Sequence, residues 1–291
     1  MKPLVTLMDI LPQNFLSWLT GVVVRLEPPG ALNRLINGLF VSIFGIDMRD
    51  ASRTLSEYRS VEDVFTRQLK PGARPVQGEI CSPADGKLTL SMPVSGGDQA
   101  VQVKGINYSL KDLVWAEDSP SKEFSPSWFT TVYLAPHNYH RVHSPLTGIL
   151  REIRYVPGKL WPVNQTFTGL VPGLFTQNER LIFELEVPGK GVAYIVMVGA
   201  FNVGRMTTPF WSSFATNDWQ KQNTRNLAHT QKIRPGQNIK AGDELGTFML
   251  GSTVVIVYNN DLAGNINLTD IRDSCMVRMG QSLGSQDETD R

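Results

Sequence analysis

The run Arg180-Leu-Ile-Phe-Glu-Leu-Glu-Val187, the link Pro188-Gly-Lys-Gly191 and the run Val192-Ala-Tyr-Ile-Val-Met-Val198 decide the fold class. Both runs are rich in β-branched and aromatic residues, and a Pro/Gly link between two such runs is the pattern of a β-hairpin. The same texture spreads outward from this hairpin. Runs at 87–92, 101–106, 130–134, 148–156, 244–250 and 253–258 also read as strands, and Gly or Pro interrupts nearly every gap after residue 75. Long helical patterns do not alternate with these runs. An α+β protein with a β-dominated core of short antiparallel strands is therefore favoured over a doubly wound parallel sheet.

Within that region, Ile233-Arg-Pro-Gly236 and Ile239-Lys-Ala-Gly242-Asp-Glu-Leu-Gly246 resemble the strand–turn–strand of hammerhead modules of the biotinyl and lipoyl type. The glycines there are expected at positive φ. Lys240 lacks the flanking residues of a carrier lysine, so the phrase indicates a β module and not a carrier.

The amino-terminal region reads differently. Residues 10–24 and 35–46 carry no charge, yet neither run reaches the about 20 apolar residues needed to cross a bilayer. No small-x-small cleavage site follows, which speaks against a secretory signal. Leu32, Leu35, Ile36, Leu39, Phe40, Ile43 and Phe44 recur at helical spacing, with Asn33, Arg34 and Asn37 on the other side. Leu11, Phe15, Trp18, Leu19 and Val22 repeat the pattern, and Pro28-Pro29-Gly30 separates the two helices. Two readings fit these N-terminal amphipathic helices: caps on a soluble core, or a hairpin lying in a bilayer interface. A third helix is expected from Ser60 to Leu69, opened by Ser60-Val-Glu-Asp63 as a capping box with Asp in place of Glu. The expected organisation is a helical region at 1–70, a β-rich domain at 71–280 and a polar frayed tail at 281–291.

Composition narrows the function. The chain of 291 residues carries 28 Lys+Arg against 27 Asp+Glu, a net charge of +1, which offers no field for nucleic acid. Cys81 and Cys275 cannot build a disulfide framework, and no CxxC exists for zinc or redox chemistry, so a reduced cytosolic environment is expected. Three of the four histidines, His137, His140 and His143, fall in Ala-Pro-His-Asn-Tyr-His-Arg-Val-His-Ser-Pro. A polar surface loop, a metal site and an acid/base pair all remain open on these residues alone. Asp85 in Ser82-Pro-Ala-Asp85-Gly86-Lys87 reads as a turn former or as a functional acid. Gly251-Ser252 in Leu250-Gly251-Ser252-Thr253 reads as a bulge or as a reactive pair, and it is not a GxSxG nucleophile elbow.

Taken in order and at these separations, SPADGK, YHRVHSP and LGST resemble the phosphatidylserine decarboxylases, most closely the bacterial, membrane-associated type. Weaker similarity runs through Val-Pro-Gly-Lys-Leu-Trp-Pro-Val-Asn164, Leu-Phe-Thr-Gln-Asn-Glu-Arg180 and Val-Gly-Ala-Phe-Asn-Val-Gly204, over residues 30 to 265. One departure is Asn138, where family members commonly carry Asp.

The resemblance implies a pyruvoyl enzyme that cuts itself. The Ser252 hydroxyl attacks the Gly251 carbonyl carbon, and elimination then releases the upstream chain and leaves a pyruvoyl group on the new amino terminus. The family assigns the base to an Asp-His pair, which falls here on Asp85 and His143, and the proton donor of decarboxylation falls on His140. His137 has no family role and is expected at the surface; His229 lies outside any motif. The implied cofactor is the covalent pyruvoyl group derived from Ser252, with no metal, and the implied substrate is phosphatidylserine. The implied assembly is a homodimer of large and small chains on the cytoplasmic face of the bacterial inner membrane. The rival reading is a non-catalytic β module that docks on membranes, and a metal hydrolase using the three histidines is more distant.

Overall fold

The hairpin at 180–198 forms as its composition predicts. Strands β7 (Arg180–Val187) and β8 (Gly191–Val198) pair in register from Arg180↔Val198 to Val187↔Gly191. The amide of Lys190 donates to the Val187 carbonyl at 3.0 Å, and Gly189 at φ 73° sits where a Pro-Gly turn of type II needs a positive φ. In this computed structural model the described residues are 2–94, 97–103, 106–116, 124–201, 205–212, 214–217, 231–249, 252–271 and 274–284.

The hairpin is the middle of a large antiparallel sheet. Its order is β10 (Gln231–Ile233), β6 (Gly148–Val156), β7, β8, β13 (Ser252–Asn259), β4 (Pro126–Leu134), β1 (Gly86–Pro93) and β14 (Cys275–Val277), with β11 (Gln237–Ile239) also paired to β6. Both faces are buried, which is why its strands are apolar at successive positions and do not alternate with polar residues. Along β13, Val254, Ile256 and Tyr258 enter one core while Val255 and Val257 enter the other. The first core is closed by a small sheet of β5 (Arg141–His143), β12 (Glu244–Phe248) and β9 (Met206–Thr207), which contributes Val142, Leu245, Phe248 and Met206. The second is closed by the hairpin β2 (Gln99–Val103)/β3 (Ile106–Ser109) and the short helices α5 (Leu110–Val114), α6 (Gln165–Thr168) and α7 (Leu174–Gln177).

Several expectations change. The run at 101–106 is not one strand: it is divided between β2 and β3, with Val103 opposite Ile106. Gly236 and Gly242 do take positive φ, at 59° and 88°. The strands around Gly236 nevertheless do not pair with each other: β10 and β11 lie in line along β6. Of the expected tail, 281–284 are packed, with Leu283 only 3% exposed and bridges joining Cys81 to Ser282 and Leu268 to Gly284. Residues 285–291 lie outside the described residues.

The amino-terminal region opens with three helices, α1 (Lys2–Ile10), α2 (Gln13–Val24) and α3 (Gly30–Phe44). The first and second are bent by 71° at Pro12, and no single helix among the described residues is long and apolar enough to cross a membrane. Their polarity is inverted relative to a soluble cap. Gln13, Ser17 and Asn37 are the buried residues of α2 and α3, and the amides of Asn33 and Asn37 donate to the Tyr58 carbonyl at 2.8 and 3.0 Å. The apolar row Leu32, Leu35, Leu39 and Ile43 is exposed. Helix α4 (Val61–Phe65) is shorter than expected. Ser60 caps the Asp63 amide, but the Asp63 carboxylate returns to the amide of Arg59 and not to that of Ser60.

Candidate active site

The SPAD turn is docked onto the histidine segment through the backbone. The amide of His143 donates to the Pro83 carbonyl at 2.8 Å, which sets Asp85 beside β5. Gly86 follows because β1 meets β4 closely there: a Cβ at this position would lie 2.5 Å from the Tyr133 carbonyl oxygen. Asp85, 8% exposed, accepts from Arg74 Nε at 2.9 Å and Nη2 at 2.7 Å, and from the Met279 amide at 2.8 Å. Arg74 also donates to Asp50 at 2.7 Å. His143 is not among these contacts, since the guanidinium and the backbone amide take the carboxylate. Asp85 acts on His143 only through its charge.

His143 is prepared in another way. Its Nδ1 lies 2.7 Å from the Gly242 carbonyl, an acceptor, so Nδ1 carries the proton and Nε2 carries the lone pair. The Tyr139 hydroxyl donates to that lone pair at 3.0 Å, its ring stacked on the imidazole at 5.6 Å. Burial depresses the His143 pKa, so the ring is neutral near pH 7.

His140 is built alike. It is 0% exposed, with Nδ1 held 2.9 Å from the Asn138 carbonyl, and its Nε2 has no partner among the described residues. The Phe65 ring covers it at 3.9 Å, and burial drives its pKa down to about 3. A neutral His140 has to gain a proton before it can donate one.

The strand register brings the backbone of Ser252 and Thr253 to this end of the sheet. Ser252 is the first residue of β13 and stands opposite Leu134, the last residue of β4, while the Phe248 amide donates to the His140 carbonyl at 3.0 Å. Gly251 lies outside the described residues, and Ser252 is described through its backbone. His137 is exposed, and His229 lies outside the described residues. The departure at Asn138 is explained by its side chain: Oδ1 accepts the Ala135 amide at 2.8 Å and closes the turn, a bond a carboxylate would also make. Among the described residues no three His, Cys, Asp or Glu side chains are placed to hold a metal ion.

Some site residues carry no sequence signal. Arg74 and Tyr139 wall both a 390 Å³ cavity that includes Asp85 and a 290 Å³ cavity that includes His143. Arg74 sits in an unpatterned turn, and only the i, i+4 spacing of Tyr139 to His143 points to a contact. In Asn178-Glu179-Arg180, two residues are structural. Asn178 bonds the Trp161 backbone at both ends and the Gly199 carbonyl, and Arg180 donates to the carbonyls of Asp112, Leu113, Thr176 and Asn178. Glu179 is fully buried, accepts from Tyr155 at 2.6 Å and from the Asn217 amide at 3.2 Å, and is pushed up to about 7 by burial.

A sequence model of the phosphatidylserine decarboxylase family matches residues 61–285, so the match starts later than the motif resemblance and runs further toward the carboxyl end. The chain is 39% identical over 264 residues to the phosphatidylserine decarboxylase proenzyme of Alcanivorax borkumensis, covering 88% of this chain and 87% of that one. It is 37% identical over 281 residues to the proenzyme of Pseudomonas aeruginosa (94% and 93% covered) and 31% identical over 282 residues to that of Myxococcus xanthus (96% of each). With the family model matching most of the chain and these relatives matched nearly end to end, this chain belongs to the phosphatidylserine decarboxylase family and is an enzyme, a decarboxylase.

Proposed function

We propose that this decarboxylase acts on phosphatidylserine, releasing CO2 and leaving phosphatidylethanolamine, after its own chain is cut between Gly251 and Ser252. The observation that carries the reading is the matched state of two buried histidines on the segment that pairs with β12, the strand preceding β13. Both are neutral, both have Nδ1 tied to a backbone carbonyl, and both reserve Nε2 for a proton. The orphaned Nε2 of His140 fits a site completed by a reacting group. A pyruvoyl group formed from Ser252 would supply the electron sink for the pair left when CO2 departs.

His143 is the base of the scission in this reading, its lone pair held by Tyr139 until it is used. Asp85 keeps Arg74 and the 279 segment in place and favours the charged imidazole as it forms. His140 takes a proton from the substrate amine and returns it to the α-carbon, so the nitrogen loses what the carbon gains. The amino-terminal helices hold the enzyme on the cytoplasmic face of a bacterial membrane. Support comes from their exposed apolar row, which suits an acyl boundary and costs free energy in water. The working unit would be the large and small chains together, as a homodimer of such pairs.

Intact-mass measurement tests the reading. An upstream chain ending at Gly251 and a 252–291 chain beginning with a pyruvoyl group are expected, and hydroxylamine should abolish CO2 release. A chain that decarboxylates while uncut refutes it. The non-catalytic docking module predicts neither scission nor reagent sensitivity.

A further inference from the structure

Among the described residues Arg67 is a buried cation that forms no ion pair, and the nearby Asp85 charge acts on it only at a distance. Arg67 is 3% exposed and follows α4. Of the five N–H donors of a guanidinium, the two on Nη2 go to the carbonyls of His137 at 3.2 Å and Asn138 at 3.3 Å. Nε and Nη1 have no acceptor among the described residues. The carboxylates bordering the same cavity are already engaged: Asp85 and Asp50 by Arg74, and Asp47 by Arg49. A buried charge is costly unless paired, and unfilled charged donors are more costly still, so this arrangement is stable chiefly when something anionic completes it.

Position says what the anion belongs to. Arg67 and His140 share one acceptor, the Asn138 carbonyl, which puts the guanidinium next to the imidazole assigned to proton transfer. Arg67 lines the 390 Å³ cavity with Asp85, Asn138 and Tyr139. The cavity is also lined by Gly45 and Asp47, which follow Ile43 and Phe44 in the chain, 74% and 43% exposed at the end of the apolar row of α3. A lipid whose chains run along that row would present its headgroup at this opening. Nε and Nη1 are closed to solvent here, so the ligand reaches them by pushing back the cavity wall, and the cost of their unpaired state is recovered on binding.

We infer that Arg67 is the anion-binding residue of the headgroup site, taking an anionic oxygen of the substrate, phosphodiester or carboxylate, in the cavity between the end of α3 and the Asn138–Tyr139 turn. The inference rests on the substrate proposed above.

Two arms test it. In the first, the full-length Ser252→Ala chain, in detergent, is titrated with glycerophosphoethanolamine, with serine and with inorganic phosphate, and compared with the same chain carrying Arg67→Gln. Affinity for at least one probe should drop about ten-fold or more, the effect of losing a charge-assisted hydrogen bond. Loss confined to glycerophosphoethanolamine and phosphate assigns the phosphodiester, and loss confined to serine assigns the carboxylate. In the second arm, Arg67→Gln in the self-cutting enzyme should raise KM for a short-chain phosphatidylserine by about ten-fold or more, with kcat moved far less. A purely structural role would lower kcat or scission and leave KM alone. Equal probe affinity with and without Arg67, or an unchanged KM, overturns the inference. If Arg67→Gln fails to fold, Arg67→Lys is read by the same criteria, since it keeps the charge and loses the planar fork. Arg67-dependent binding in a protein that neither cuts nor releases CO2 would sink the functional proposal alone; normal cutting and decarboxylation without Arg67 dependence would sink this one alone.

Discussion

His143 holds its Nδ1 proton against the Gly242 carbonyl at 2.7 Å, so Nε2 is the one place where it can take another. Replacing it by Ala should slow chain scission by about 10²–10⁴-fold, followed on a denaturing gel over time. Because burial keeps the ring neutral below its ordinary pKa of 6.5, wild-type scission should hold its rate through pH 6.5 and fall only at lower pH. Glu179 gives a stability prediction of the opposite sense to the usual carboxylate. Its folded pKa is raised from 4.5 to about 7, so its contribution is fully present below pH 4.5 and is lost as pH rises through about 7. The difference in denaturant midpoint between pH 5 and pH 8 should shrink in Glu179→Gln; an unchanged difference would show that another group sets it. At this scale the sequence singles out Asp85, His140, His143 and Ser252 as candidates because each sits in a short distinctive phrase. It does not single out their partners. Arg74, Tyr139 and the Met279 amide reach the site through turns and register that leave no local pattern.

Among the elements, the strands at 148–156 and 180–187 are readable to the residue, because sustained β-branched runs bounded by Pro or Gly admit one assignment. Strand β5 is three residues long and was missed, as too short to show a period. The helices are the instructive case. Period placed the apolar and polar residues on opposite sides of α3, but period cannot say which side meets the protein. The Tyr58 carbonyl decides it by accepting from Asn33 and Asn37, which turns Leu35 and Leu39 outward. Leu35→Asp with Leu39→Asp should therefore leave thermal stability nearly unchanged while abolishing sedimentation with phospholipid vesicles. A large loss of stability would mean that these side chains cap the protein's own core. Asn37→Leu, by contrast, leaves the Tyr58 carbonyl with only Asn33, at a cost of about 1–2 kcal/mol.

Taken whole, the molecule is a sheet whose central strand begins at the proposed cut. Strand β13 is hydrogen-bonded to β4 along one edge and β8 along the other, so scission at its first residue breaks one covalent bond and no ladder. The two chains should co-elute on gel filtration in native buffer and separate only in denaturant; native separation would contradict the central placement of β13. The overall antiparallel class was legible from texture, whereas the crossing of the carboxyl-terminal segment from the middle of the sheet to its far edge was not, because β14 is three residues long and pairs with β1. That crossing makes the downstream fragment a suture. It enters the fabric at Ser252 and is knotted at Met279, whose amide grips Asp85, so the piece that would carry the reactive end also fastens the wall of the pocket that made it.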